Sequence, residues 1–425
     1  MSRMKPTLIT NARIVDPASN RDERGAILFA DKVLDVGATI DAKDATLIDA
    51  AGACVMPGLI DMRVTIGEPG AEHRETFKSA GRAAIAGGVT TMVMTPGADP
   101  VIDVPSLVDF ILRRAPARSE AHILPAAALT RSLKGEHMTE FGLLQEAGAV
   151  MLMNGDKPVT DSRVLRRALA YSTAFGLLVA HRPEDPFLAA GGVMHEGELA
   201  ARLGLPGIPA IAESIMSERD LALAEITRAK LMLDMISSAR TLEPLKRAKD
   251  RGVNALASVS VHHLTLNEQD VDGYRTFAKL VPPLRREEDR AALCDAVSTG
   301  LIDVIVSGHD PRPAEDKRLP FDEAAPGAAA LETLLPAALS LHHNGAKLLD
   351  VIAAMTKRPA DILGLPQGRL AKGAPADLIL VDLGAPYRLD ANDLRSKSKN
   401  SPFDGKLMQG RVLKTFIGGK AVFEN

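Results

Sequence analysis

Between residues 57 and 307 the chain alternates short apolar, β-branched runs with longer amphipathic segments, and no other feature constrains its fold as tightly. Residues 88–94 (Gly-Val-Thr-Thr-Met-Val-Met), 123–127, 149–153, 177–180, 230–236, 254–261 and 302–307 read as strands. Residues 106–114, 216–228 and 286–298 read as helices, the last ended by Gly300. A strand followed by a helical crossover returns parallel to its predecessor, and the helix then covers the sheet. About eight such units over roughly 250 residues predict an α/β fold, a (β/α)8 TIM barrel with any chemistry at the C-terminal mouth of its strands.

The flanks follow another period. Residues 8–15, 26–36 and 46–54 alternate apolar and polar side chains, and runs of the same kind return at 376–383, 406–408, 412–417 and 420–423. Strands on both sides of the barrel predict a composite β-sandwich domain built from both termini, with 1–56 as its N-terminal part, 57–364 as the barrel and 365–425 as its C-terminal part. Several function classes are excluded. With 51 Lys+Arg against 54 Asp+Glu the net charge is −3, which gives no basic footprint for nucleic acid and no polybasic membrane anchor. No uncharged apolar stretch approaches the ~18 residues of a membrane span, and the opening Met-Ser-Arg-Met-Lys-Pro lacks the apolar core of a leader. Cys54 and Cys294 are the only cysteines, too few for a disulfide framework or a thiolate zinc site, which fits a reducing, cytoplasmic location.

A series of ordered motifs runs the length of the chain. It includes Pro57-Gly-Leu-Ile-Asp61, Glu68-Pro-Gly70, Gly87-Gly-Val-Thr-Thr91, Gly191-Gly-Val-Met194, His262-His-Leu264, Pro282-Pro-Leu-Arg285 and the segment from Lys397 to Gly405. In these the chain resembles the dihydroorotase and hydantoinase family of the amidohydrolase superfamily. That resemblance implies one or two zinc ions at the barrel mouth, polarising water for attack on the cyclic amide of dihydroorotate. A neutral amide and neutral water otherwise react too slowly near pH 7.

The residues that the resemblance assigns to the metal have all changed. The family's D-x-H-x-H reads Asp61-Met62-Arg63-Val64-Thr65, so Arg63 and Thr65 stand at the histidine positions. A guanidinium carries only donors and cannot ligate zinc. Asn154 replaces the bridging carboxylate, with Asp156 and Lys157 displaced along the turn. Arg182 stands at the next histidine position, Met235 at the one after, and Gly308 at the aspartate that serves as ligand and general base. The substrate-binding positions hold Gly67, Gly97 and Val281. The resemblance therefore implies a pseudo-dihydroorotase, with no catalytic residues, metal or cofactor. Such a chain would be kept as a structural partner of aspartate carbamoyltransferase, as a homo-oligomer, or both.

Two rivals stand beside this reading. One is an active cyclic amidohydrolase with an improvised zinc site from His181, His309, Asp310 and Asp156. His181, however, falls one residue early, on the strand face opposite the ligands. The other is a binding protein in which Arg63 and Arg182 replace the metal charges and hold an anion. His262 and His263 are expected to close a strand and point apart, His342 and His343 to end a helix in solvent, and residues 312–317 to form an exposed loop of mixed charge.

Overall fold

The computed structural model describes residues 5–425; residues 1–4, which open the expected N-terminal β segment, lie outside the described residues. The chain begins with β1 (Thr7–Asp16), β2 (Arg21–Phe29), β3 (Val33–Gly37), β4 (Thr46–Asp49) and β5 (Cys54–Pro57). Residues 26–36 are thus not one strand but the two arms of an antiparallel hairpin, turned at Ala30–Lys32. Alternation persists through so short a turn, which is why the run reads as continuous.

The barrel follows directly. Its strands are β6 (Leu59–Val64), β7 (Val89–Met94), β8 (His122–Pro125) with its continuation β9 (Ala127–Ala128), β10 (Leu152–Met153) and β11 (Val179–His181). Between barrel strands, β12 (Met194–His195) and β13 (Gly207–Ile208) form a separate two-stranded ribbon. The barrel then resumes with β14 (Leu231–Leu233), β15 (Ala255–Ser260) and β16 (Val304–Val306). All neighbouring barrel strands pair in parallel. The ring closes where Val64 bridges His309 and the Thr65 N–H donates to the His309 carbonyl at 2.8 Å. Met62, Val93, Met151, Met153, Ala180, Met232 and Val306 belong to one buried cluster that gathers side chains from around the barrel. Flexible methionines fill such irregular space without forcing strained rotamers.

The C-terminal strands β17 (Leu378–Arg388), β18 (Leu407–Ile417) and β19 (Lys420–Glu424) return to the first sheet, and the runs expected at 406–408 and 412–417 merge into the single strand β18, which leaves out Lys406. The order is β19-β18-β17-β5-β1-β2-β3, with β4 paired to β1. The expected sandwich is therefore one hydrogen-bonded sheet of eight strands. It folds over on itself, because Phe29 of β2 meets Phe416 of β18 edge to face at 5.1 Å, two strands that are not neighbours in the sheet. The sheet encloses its own core of Ile9, Ile27, Phe29, Val55, Leu378 and Phe416. The pairing of β5 to β17 ends at Pro57, and the barrel strand β6 begins at Leu59. A parallel barrel, and a sheet built from strands on both sides of it in the chain, is the architecture the alternation predicts. No described helix is long and apolar enough to cross a membrane.

Candidate functional site at the barrel mouth

β6 delivers its polar side chains to the mouth. Arg63 is buried, and its guanidinium bridges two carboxylates. Nε donates to Asp234 Oδ2 at 2.7 Å and Nη2 to Asp156 Oδ1 at 2.6 Å. Asp234 follows β14, is itself buried, and also accepts from Ser258 Oγ at 3.0 Å. Burial alone would push the Arg63 pKa down, but the facing Asp234 and Asp156 more than reverse that and hold it above its usual value. A permanent positive charge thus stands on the strand end where a ligand histidine is expected.

The neighbouring groups extend this pairing. Arg182, just past β11, donates to Glu184 Oε2 at 2.6 Å and to the Asp156 carbonyl at 3.2 Å. Loss of solvent opposes the charge on Asp156, yet Arg63 and Arg182 hold its carboxyl below the usual range. Asp61 Oδ1 accepts the backbone N–H groups of Arg63 and Ser307, each at 3.2 Å, while its Oδ2 has no partner; burial pushes its carboxyl up to about 6.

The other expected positions are filled by structure. Asn154 accepts from Thr130 Oγ1 at 2.7 Å and donates to the Lys157 carbonyl at 2.9 Å, so its amide serves its own loop. The Thr65 hydroxyl lies 3.3 Å from Thr95 Oγ1. Met235 keeps a left-handed φ of 53° despite its side chain. A Cβ added at Gly308 would stand 3.1 Å from Ser260 Cβ and 3.6 Å from both Met235 Sδ and His262 Nδ1. The space between Arg63, Asp156, Met235, His262, Gly308 and Asp310 is about 20 Å³. That admits about one water, not a cyclic substrate. At Gly67 a Cβ would come within 2.1 Å of the Ala71 carbonyl, whereas Gly97 has open space around it. Val281 is a partly buried wall of the same small cavity.

The improvised zinc site does not assemble. His181 Nδ1 meets Asp220 Oδ2 at 2.6 Å and its Nε2 accepts the Val159 N–H at 2.8 Å, so the ring packs against the helix Ile211–Thr227. His309 Nδ1 accepts the Ala330 N–H at 3.0 Å, and its Nε2 lies 3.6 Å from Glu75 Oε2. Asp310 pairs with Arg312 at 2.7 Å; burial and then the Asp156 charge push its carboxyl up against the pull of Arg312. Asp156 is held by Arg63. Each of the four expected ligands therefore has a different partner. Among the described residues, no three His, Cys, Asp or Glu side chains are grouped to hold a metal ion.

Two further expectations change. His262 and His263 sit on the short helix Val261–Thr265, so strand alternation does not decide their directions. His263 is anchored by Ser260 Oγ at 2.8 Å and the Pro282 carbonyl at 3.1 Å. His262 stacks on Phe403 with 5.6 Å between ring centroids, and burial pushes its pKa down to about 3. Within residues 312–317, Lys317 is buried rather than exposed; its Nζ donates to the carbonyls of Ala325 at 2.7 Å and Thr276 at 2.9 Å, and burial pushes its pKa down to about 7. His342 and His343 close the helix Leu334–His343; His343 is exposed as expected, whereas His342 is part-buried with its Nδ1 2.9 Å from the Ala346 carbonyl. The sequence reading missed Asp234 and Glu75. A lone acid directly after the apolar Leu231-Met232-Leu233 run was the available signal for Asp234. Glu75 had none, since its partners Ser396 and Lys397 lie more than 300 residues away.

The fold defines the class: a parallel barrel whose flanking sheet is built from strands on both sides of it in the chain. Residues 52–241 match the family described as Dihydro-orotase-like, and residues 189–422 the Amidohydrolase family. A dihydroorotase of Wolbachia sp. subsp. Drosophila simulans (strain wRi) is 42% identical, over 97% of this chain and 95% of its own length. One from Anaeromyxobacter dehalogenans (strain 2CP-1) is 39% identical over 98% and 97%. Among solved structures, L-hydantoinase (dihydropyrimidinase) from Arthrobacter aurescens superposes with a TM-score of 0.89 at 25% identity, over 99% of this chain and 96% of that one. Dihydropyrimidinase from Brevibacillus agri NCHU1002 gives 0.86 at 20% identity, over 99% and 95%. The chain belongs to the dihydroorotase family.

The zinc centre associated with that family does not fit the residues at this mouth. Arg63 offers donors where acceptors are needed, and it engages the nearest carboxylates itself.

Proposed function

We propose that this chain is a dihydroorotase homologue of pyrimidine biosynthesis that does not itself open the dihydroorotate ring and serves instead as a structural partner of aspartate carbamoyltransferase. One observation carries the first half: the Arg63 guanidinium lies between Asp234 and Asp156 at the end of β6. Hydrolysis of a cyclic amide needs a Lewis acid and an activated water. A cation that cannot lose its proton near neutral pH offers neither a ligand nor a base. The small cavity behind it leaves no volume for a six-membered ring. The anion-binding alternative is weaker, because the Arg63 and Arg182 guanidinium groups already face Asp234, Asp156 and Glu184.

The partner half rests on the resemblance to bacterial systems in which an inactive dihydroorotase-like chain assembles with the carbamoyltransferase. A large barrel needs a packed interior but not its metal, so its ligands can drift while its surface is kept. The test is co-purification of the tagged chain from its native host, followed by carbamoyltransferase assay of the eluate with and without it. Recovery of the carbamoyltransferase in fixed ratio, with activity or thermal stability lost on separation, supports the reading. Recovery of the chain alone, together with ring opening of dihydroorotate, overturns it.

A further inference from the structure

The barrel meets the flanking sheet along a seam that polar contacts hold shut. Thr415 Oγ1 of β18 donates at 2.7 Å to the Ile85 carbonyl, near the end of the helix Phe77–Ala86. His122 Nε2, at the start of β8, lies 3.1 Å from Oδ2 of the buried Asp377, whose Oδ1 accepts the Gly418 N–H at 2.7 Å. His122 also lines a recess of about 650 Å³ between the two bodies. Ligand pockets form preferentially at such joints and span about 300–1,000 Å³. Because His122 begins its strand, the recess lies at the end of the barrel opposite the mouth.

The floor of the recess is apolar and its rim is cationic. Leu112 and Ile123 come to the floor from the barrel, Ile417 and Val422 from the sheet, and all four are buried or part-buried. Exposed Lys78, Arg118 and Lys420 stand around it, on the helix Phe77–Ala86, after the turn Ala115–Ala117 and on β19. Glu120 is the one acid in the lining, so three cations against one carboxylate leave two positive charges in surplus. Among the described residues, none of these four side chains has a hydrogen-bond or ion-pair partner. On the same strands Lys414 does, meeting Glu424 at 2.6 Å. An inorganic anion would answer the charges and leave the floor wet. A neutral apolar molecule would cover the floor and leave the charges unanswered. An anion with an apolar body does both. Since none of the floor residues projects, the recess suits a free molecule and not a bilayer surface.

We propose that this recess is a binding site for a small organic anion with an apolar body, its charged head held by Lys78, Arg118 and Lys420. The site does not depend on whether the mouth is catalytic. Decanoate is the probe, titrated into the full chain by isothermal calorimetry. One saturable site per chain is expected, with binding about fourfold weaker for each methylene removed and little binding of acetate or decyltrimethylammonium. Arg118→Glu combined with Lys420→Glu is expected to weaken decanoate by about tenfold or more without lowering the thermal midpoint of the free chain, since both residues are exposed. Arg166→Glu, on the exposed face of the helix Ser162–Ser172, is expected to bind as the wild type does. Phosphatidylglycerol vesicles are expected to leave the chain in the supernatant. Absence of a saturable site, equal binding of acetate or the ammonium, an unweakened double variant, an Arg166→Glu variant weakened as much, or sedimentation with vesicles overturns the proposal.

Discussion

Arg63 is the residue on which most else turns. Its pairing with Asp234 is buried on both sides, and removing one partner of such a pair costs about 3–5 kcal/mol because the other is left charged and dry. Arg63→Met is therefore expected to lower the thermal midpoint sharply, and Asp234→Asn added to it to recover much of the loss. A midpoint unmoved by Arg63→Met would show the pair to be idle. Asp61 gives a pH signature. Its folded pKa of about 6 lies above the ordinary carboxylate value of 3.8, so the folded chain binds the proton more tightly than the unfolded one. Its contribution to stability is present below pH 4 and is lost as pH rises through 6. Asp61→Asn removes that loss, and differential scanning calorimetry should find the variant gaining on the wild type by up to about 3 kcal/mol between pH 4 and 7. The placing of Arg63, Asn154, Arg182 and Gly308 around the barrel mouth was legible in the sequence because the motifs that flank them mark the strand ends. The bridge from Arg63 to Asp234 was not, because it joins residues 171 positions apart.

At the scale of elements, the loop after β6 folds tightly around Gly67. The Ala71 carbonyl occupies the space a side chain at Gly67 would need. Gly67→Arg, which would restore the residue type expected in active relatives, is predicted to destabilise the fold by more than about 2 kcal/mol, since backbone cannot yield as a side chain can. Chemical denaturation checks this; a variant as stable as the wild type would show the loop to be free to move. Seven barrel strands and three of the crossover helices could be read from periodicity alone; the first barrel strand and helices such as Phe77–Ala86 and Leu242–Asp250 were not. Periodicity failed where the chain turns within two or three residues, as at Ala30–Lys32, and where a strand run passes without a break into a short helix, as at His262. In both places hydrophobic pattern continues while backbone direction changes.

At the scale of the whole molecule, three buried histidines from two elements, β12 and the helix Val261–Thr265, weaken the fold in acid. His195, His262 and His263 stand at about 4, 3 and 4, all lowered by burial from 6.5. The unfolded chain takes up protons that the folded chain refuses, so their contribution is present above pH 6.5 and is lost as pH falls toward 4. Near pH 5 these three gain about three protons on unfolding against the one that Asp61 releases, a net slope of about 3 kcal/mol per pH unit from these groups. The thermal midpoint followed from pH 7 to 5 should fall, and less steeply in His262→Gln; equal slopes would contradict the assignment. The Arg63 bridge to Asp234 and Asp156 closes the mouth with ion pairs, and a chain so closed is predicted to hold no zinc there. The direct measurement is the zinc content of the wild-type chain, produced in zinc-supplemented medium, purified without chelator and read by atomic emission. Far less than one equivalent per chain is predicted, and a stoichiometric ion lost together with dihydroorotate hydrolysis on chelation would contradict the account.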